Sequence, residues 1–141
     1  MKPKRVLFLC TGNSCRSQMA EGLLRTLGGE RFAAFSAGAK PAGHVHPLAI
    51  RAMGELHIDI SRHQSKSLDA FRGQPIDYLI TVCDGARETC PTHTGAERQL
   101  HWSFDDPARA DGPDEQKLAE FRRVRDEIRR RIELFLATQH E

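Results

Sequence analysis

The length and composition are those of an ordinary folded protein. The chain has 141 residues, 28% of them charged, and a formal net charge of +2. These values exclude a disordered chain, give no reason to expect a nucleic-acid partner, and fit one domain over residues 1–141. The basic N-terminus precedes an apolar run that is far too short for a signal peptide or a membrane span, so no membrane partner is expected. The default expectation is a cytoplasmic monomer.

The first 30 residues predict a strand, a tight polar loop and a helix. A short apolar run at residues 6–9 is typical of a buried strand, and Cys10 lies where that strand ends. Apolar residues then recur at helical spacing until Gly28 and Gly29. Loop amides and the positive end of the helix dipole would form a cradle for an oxyanion. The cradle residues are Thr11, Gly12, Asn13, Ser14, Cys15, Arg16 and Ser17.

Two side chains of this loop predict chemistry on a bound anion. Arg16 offers a bidentate fork for a tetrahedral oxyanion, and the same positive field favours Cys10 as the attacking thiolate. The plainer interpretation is a buried cysteine beside a surface arginine. The flanking strand and helix favour a site, as do Gly12 and Asn13, which both tolerate a positive φ.

Strands and helices alternate along the rest of the chain. Further strands are predicted at residues 32–35, 76–82 and 100–104. Helices are predicted from Pro47, from Ser61 (where Gln64 completes a capping box) through Phe71, and from Asp114. This order predicts an α/β fold with a four-stranded parallel sheet and helices on both faces. His44 and His46, just before Pro47, have no cysteine or carboxylate partner nearby and are interpreted as loop residues.

Reactive side chains follow three of the predicted strands. Cys10, Cys83 and Asp106 each lie just past a strand end, and ligands of parallel sheets bind at that edge. Cys83 and Cys90 would be about 10.5 Å apart on a helix, so they can form a disulfide only if the segment loops. The alternative is that Cys83 and Cys90 are two unrelated thiols that form no disulfide with each other. Pro107 holds the backbone of Asp106 extended. Asp106 is then either an acid with a fixed position or part of a solvated turn.

The loop resembles the phosphate-loop signature of thioredoxin-coupled arsenate reductases, which share their fold with low-molecular-weight protein tyrosine phosphatases. The resemblance is carried by residues 10–21, which read CTGNSCRSQMAE, and by residues 101–107, which are similar to the acid loop of the family. Cys10, Cys83 and Cys90 match the reductases residue by residue, whereas the related phosphatases lack the last two cysteines. The resemblance implies a three-layer, low-molecular-weight phosphatase-like fold.

The resemblance also implies a reaction, arsenic detoxification by reduction of arsenate to arsenite. Cys10 would attack arsenate held by Arg16, with phosphate or sulfate as competing oxyanions, and Asp106 would protonate the leaving oxygen. Cys83 would then attack Cys10, and Cys90 would attack Cys83. Thioredoxin would reduce the final disulfide, with no bound cofactor. Cys15 matches a shared loop position and is assigned to packing.

Members of the family that resemble this chain at Asn13, Glu21 and Ser36 hold a potassium ion behind the loop, completed by a carboxylate. Here Lys66 stands where that carboxylate is expected. We therefore expect Lys66 to supply the positive charge, so that these four residues support the loop without a metal.

Two other functions remain open from the sequence. A phosphomonoester phosphatase would use Cys10, Arg16 and Asp106, although Pro107 is followed directly by residues 108–110, Ala-Arg-Ala, and not by an aromatic residue that could form a wall for a phenol ring. A non-enzymatic thiol module would bind zinc or sense oxidants through the four cysteines.

Overall fold

Four parallel strands form the centre of the molecule. The computed structural model describes residues 2–84 and 96–138. The strands are β1 (Lys4–Cys10), β2 (Phe32–Gly38), β3 (Ile76–Thr81) and β4 (Ala96–His101), in the spatial order β2-β1-β3-β4. The predicted four-stranded parallel sheet is therefore confirmed. Because β1 lies between two neighbours, its carboxyl end opens at the middle of the sheet edge, and the loop from Cys10 to Arg16 starts there.

Three α-helices and three short 3₁₀ helices surround the sheet. The α-helices are α1 (Arg16–Gly28), α2 (Pro47–Gly54) and α3 (Asp114–Thr138). The 3₁₀ helices are Gly29–Arg31, Leu68–Phe71 and Pro107–Arg109. Among the described residues, no helix combines the length and the apolar character that a membrane span requires.

The two faces of β1 bury different side chains. Val6, Phe8 and Cys10 face the core that the α-helices build, while Leu7 and Leu9 face a smaller cluster. The predicted stripe of α3 is buried in the larger core, as Leu118, Phe121, Val124, Ile128, Ile132 and Phe135. The smaller cluster includes Phe71 of the 3₁₀ helix Leu68–Phe71, so helical segments lie on both faces. The expected three-layer arrangement follows.

Two predicted elements do not form where the sequence placed them. The helix expected from Ser61 through Phe71 is wrong: Ser61 N donates to Asp59 Oδ1 in a turn, and only the 3₁₀ helix Leu68–Phe71 forms, capped by Ser67 Oγ. The fourth strand lies at Ala96–His101 rather than at 100–104. As an edge strand it is exposed at all but its first residue, so it has no apolar pattern. Trp102 and Phe104, which lie within the predicted strand, instead pack into the core after β4.

Candidate active site

The oxyanion loop between β1 and α1 is held from outside through its carbonyl groups. Three of them accept hydrogen bonds from backbone N–H groups of the loop that precedes α2. The bonds are Lys40 N to Thr11 O (2.9 Å), Ala42 N to Gly12 O (2.9 Å) and His46 N to Ser14 O (2.8 Å). In a trans peptide unit the C=O and N–H groups point in opposite directions, so outward carbonyls turn the amides of Gly12, Asn13 and Cys15 inward. Inward amides are what an oxyanion requires.

Gly38, at the end of β2, lets the oxyanion loop pack against the sheet. A Cβ atom at this position would lie 2.6 Å from Thr11 O and 3.0 Å from Asn13 N. Asn13 itself has a φ of 49°, which asparagine tolerates better than most residues. The tight path of the loop therefore depends on glycine at one contact and asparagine at the other.

Two polar groups lie within hydrogen-bond distance of the Cys10 sulfur. It is a free thiol with 2% of its surface exposed. Asn13 N donates to Cys10 Sγ at 3.3 Å, and Ser17 Oγ lies 2.9 Å from the same sulfur. Ser17 Oγ also accepts from Asn13 Nδ2 at 2.8 Å, and its own O–H is the donor to Cys10 when the sulfur is a thiolate. Both donors stabilise a sulfur anion, the form that attacks.

Arg16 and Asp106 lie together beside the loop. Arg16 is 3% exposed, donates from Nη1 to Phe104 O at 3.2 Å, and places Nη2 3.8 Å from Asp106 Oδ2. Asp106 begins the 3₁₀ helix Pro107–Arg109 and accepts from Ala108 N at 3.0 Å. The chain thus fixes the Asp106 carboxyl next to the predicted anion-binding arginine.

Asp105 faces a different partner. Its Oδ2 lies 3.0 Å from Arg123 Nη2 on α3, and 57% of its side chain is exposed, against 24% for Asp106. The two neighbouring carboxylates therefore have separate surroundings, and only Asp106 is directed at Arg16.

Cys15 is a buried thiol of the loop with a carboxylate partner. Its Sγ donates to Asp106 Oδ1 at 3.7 Å. Burial first, and then the negative charge of Asp106, raise the pKa of Cys15 to about 12. Cys15 therefore stays protonated at neutral pH.

Cys83 lies at the same sheet edge as Cys10. Val82 N donates to Leu9 O at 2.9 Å, and Leu9 is in register with Thr81, so Cys83 lies just beyond the carboxyl end of β3, next to the carboxyl end of β1. Cys83 is buried and disulfide-bonded, whereas Cys10 and Cys15 are both free thiols. A Cys10–Cys83 bond is thus not formed in this structure. Cys90, the third predicted relay residue, lies outside the described residues.

The predicted supporting residues meet behind the loop. Glu21, which is 6% exposed, accepts from Ser36 Oγ and from Arg25, and Lys66 Nζ lies 3.9 Å from its Oε1 atom. Lys66 also donates its backbone N–H to Asn13 Oδ1 at 2.7 Å. The oxygens expected around a potassium ion are therefore already engaged with nitrogen and hydroxyl groups, and two cationic side chains flank Glu21. The arrangement does not fit an alkali-metal ion. Elsewhere among residues 2–84 and 96–138, no cluster of metal-ligating side chains is present.

Two further residues of this network were missed in the sequence. Gln18 Nε2 donates to Asn13 Oδ1 at 3.0 Å, and its Oε1 lies 3.0 Å from His63 Nδ1. Burial lowers the pKa of His63 despite the nearby Glu21. Gln18 lies within the resembling motif, but His63 offers no local signal, because its contact depends on a fold that joins residues 45 positions apart.

A polar cleft opens on the Asp106 side of the loop. It encloses about 190 Å³. Its lining residues are Asp84, Asp105, Asp106, Arg109, Ala110, Glu120 and Arg123. This lining contains no aromatic side chain and so offers a phenol ring no stacking partner within the described part of the chain.

The strand, loop and helix on this sheet, with a buried cysteine and a buried arginine at the two ends of the loop, have the arrangement expected of a phosphatase-type anion site. The family model described as low molecular weight phosphotyrosine protein phosphatase matches residues 5–141, and the chain belongs to that family.

Within the family the similarity is to arsenate reductases. The chain is 48% identical over 138 residues to an arsenate reductase of Halalkalibacterium halodurans, a match that covers 98% of this chain and 99% of the relative. A solved structure of an arsenate reductase in the phosphate binding state is 37% identical, with a TM-score of 0.76, and the match covers 95% and 97% of the two chains. The thioredoxin-dependent arsenate reductase of Corynebacterium glutamicum is 30% identical, with a TM-score of 0.62; 94% of this chain and 63% of that chain are covered.

Proposed function

We propose that the protein reduces arsenate to arsenite and is regenerated by thioredoxin. The observation that carries the proposal is Cys10 at the floor of an inward-facing amide loop, with a second cysteine, Cys83, at the same sheet edge. A phosphatase needs only the first of these. The named relatives support the substrate, and the Corynebacterium neighbour supports thioredoxin as the reductant.

The first step joins Cys10 to arsenic. Loop amides and Arg16 hold the arsenate oxygens, and the Cys10 thiolate attacks the arsenic atom. A sulfur–arsenic bond forms and one arsenic–oxygen bond breaks. Asp106 donates the proton that lets this oxygen leave as water. Phosphate and sulfate compete for the same loop because they present the same tetrahedral oxygens.

The second step carries out the reduction. The Cys83 thiolate attacks Cys10 Sγ, a disulfide forms, and the sulfur–arsenic bond breaks with its electron pair on arsenic. Arsenic(V) becomes arsenic(III), and the two thiols together supply the two electrons. Cys90 then attacks Cys83 and frees Cys10, and thioredoxin reduces the Cys83–Cys90 disulfide. A free Cys10 beside a disulfide-bonded Cys83 supports this order.

Lys66 supports the loop in place of an ion. Its ammonium donates to Gln64 O at 2.8 Å and lies near Glu21, while its N–H holds the Asn13 side chain that in turn donates to Ser17. A tethered cation so placed offsets the buried charge of Glu21 without an ion.

A phosphomonoester phosphatase is the second candidate, because Cys10, Arg16 and Asp106 are the residues that such an enzyme uses. The cleft lining counts against an aryl phosphate as the main substrate, since its described residues include no ring. We treat phosphatase activity as a side reaction of the same loop.

The test measures NADPH consumption with arsenate, thioredoxin and thioredoxin reductase, and aryl phosphate hydrolysis in parallel. Cys10→Ser should abolish both activities. Cys83→Ser and Cys90→Ser should abolish repeated arsenate turnover but keep the hydrolysis, which needs only the loop and the acid. Cys15→Ala serves as the matched thiol control and should keep repeated turnover. Loss of hydrolysis in folded Cys90→Ser would refute this division of roles, and arsenate turnover in Cys83→Ser would refute the relay.

A further inference from the structure

We propose that His46 is a positioning residue of the oxyanion loop: its neutral imidazole caps α2 and so holds the backbone N–H that fixes the Ser14 carbonyl. The inference concerns the loop itself and does not depend on which oxyanion is the substrate.

The cap is an imidazole in a position where serine, threonine, aspartate or asparagine is usual. His46 has an extended backbone (φ −62°, ψ 130°), and its Nδ1 accepts from Leu48 N at 3.1 Å. Pro47, at the first helical position, has no N–H, so Leu48 carries the first donor that needs a cap. Since Nδ1 accepts, the ring proton of the neutral imidazole is on Nε2.

The same residue holds the loop. His46 N donates to Ser14 O at 2.8 Å, and this outward bond turns the N–H of Cys15 toward the anion position. The other two outward bonds come from Lys40 and Ala42, which are both exposed. The His46 ring instead packs on Phe121 of α3, with 4.7 Å between the ring centroids. His46 therefore connects this part of the loop to two helices.

The cap exists only while the imidazole is neutral. The groups that act on the ring are His44 from the preceding loop, Lys117 from α3 and Asp106 from the acid loop. Burial and then His44 lower the pKa of His46, with Lys117 adding to this effect and Asp106 opposing it. A proton on Nδ1 would set a donor against the N–H of Leu48 and break the bond. Lowering the pH should therefore free the N-terminus of α2 and weaken the hydrogen bond from His46 N to Ser14 O.

Two substitutions separate the cap from the charge. His46→Asn keeps an acceptor at the cap but does not titrate, and His46→Leu keeps an apolar contact with Phe121 but has no acceptor. His57→Asn is the matched control, because His57 is exposed and its φ of 62° suits asparagine. Sulfate is the probe of the loop, since its charge does not change between pH 5 and 8.

At pH 7.5 we expect His46→Leu to weaken sulfate binding by about tenfold, and His46→Asn to stay within about twofold of wild type, as does His57→Asn. Because the pKa of folded His46 is lowered, the unfolded chain binds more protons, and wild-type stability falls as pH drops below about 7. From pH 7.5 to 5, the Tm of wild type and of His57→Asn should therefore fall by roughly 3 °C more than that of His46→Asn.

Three results would overturn the proposal. The first is that His46→Leu binds sulfate as tightly as wild type. The second is that His46→Asn loses as much sulfate affinity as His46→Leu. The third is that the Tm of wild type and the Tm of His46→Asn fall in parallel as the pH is lowered. Should His46→Leu not fold, ¹⁵N NMR of wild type at pH 7.5 decides: an unprotonated Nδ1 supports the cap, and a protonated Nδ1 refutes it. None of these measurements uses arsenate, so they stand apart from the test of the proposed function.

Discussion

The thiol of Cys15 donates to the carboxylate of Asp106 across 3.7 Å, so the second cysteine of the loop contacts the proposed acid rather than the nucleophile's sulfur. Its buried position and this negative neighbour keep Cys15 protonated. The loop therefore holds two cysteines of different character, because Cys10 accepts from Asn13 N and lies 2.9 Å from Ser17 Oγ, whereas Cys15 donates to a carboxylate.

This difference predicts selective alkylation. In a Cys83→Ser, Cys90→Ser background at pH 8, iodoacetamide should label Cys10 and leave Cys15 unlabelled, because a pKa of about 12 leaves on the order of 10⁻⁴ of Cys15 as thiolate. Mass spectrometry of the labelled peptide measures both sites. Asp106→Asn should speed labelling of Cys15, and Asp105→Asn should not. Equal labelling of Cys10 and Cys15 in the parent would contradict this prediction.

The neighbouring aspartates predict unequal kinetic effects. Asp106→Asn should slow the first chemical step by a factor on the order of 10²–10⁴, while sulfate still binds the loop. Asp105→Asn is the matched control: it removes an exposed pair with Arg123 and should change the rate little. Rapid-quench measurement of single-turnover rates separates the step from binding. Similar losses in the two variants would mean that the acid is misassigned.

Much of this site follows from local sequence, and the rest depends on long-range contacts. The apolar run before Cys10 and the stripe of α3 are local patterns, so the first strand, the loop and the last helix were predictable. The edge strand β4 was misplaced because an exposed strand needs no apolar alternation. The capping role of His46 was missed, since an imidazole cap is uncommon and its link to Ser14 spans 32 positions.

The close packing of the oxyanion loop against Gly38 can be tested sterically. Gly38→Ala places a Cβ 2.6 Å from Thr11 O, a distance that backbone atoms must move to relieve, so sulfate affinity and Tm should both fall. Gly54→Ala is the matched control, because its Cβ meets nothing within 4 Å and alanine suits the last residue of a helix at least as well sterically. Calorimetric titration with sulfate gives the affinity. Tight binding by Gly38→Ala would show that the packing is not required.

Glu55 predicts a stability effect that disappears in acid. Hydrogen bonds from Arg122 and then Arg125 lower the pKa of Glu55 to about 2. A lowered carboxyl pKa contributes stability above about pH 4.5, and this contribution is lost as pH falls toward 2. Because the side chain is 37% exposed, Glu55→Gln should cost at most about 1 kcal/mol at pH 7 and nothing near pH 2.

Urea unfolding across this pH range measures the effect of Glu55→Gln. Glu133→Gln, which removes an exposed pair with Arg129 at 3.5 Å, is the control and should stay close to zero throughout. A constant difference between Glu55→Gln and wild type down to pH 2 would contradict the assignment.

The position of Lys66 predicts that the stability and the turnover of the protein do not depend on potassium. Its ammonium lies 3.9 Å from Glu21 and its N–H holds Asn13, so exchanging potassium for sodium at constant ionic strength should leave Tm and arsenate turnover unchanged. Lys66→Asp replaces the cation with a carboxylate beside Glu21, which creates an oxygen-rich site for potassium and should make both quantities potassium-dependent. Lys66→Met is the control, because it removes the charge without adding an oxygen ligand, and it should be less stable in either salt. Clear stimulation of the wild-type protein by potassium would show that the ion binds despite Lys66.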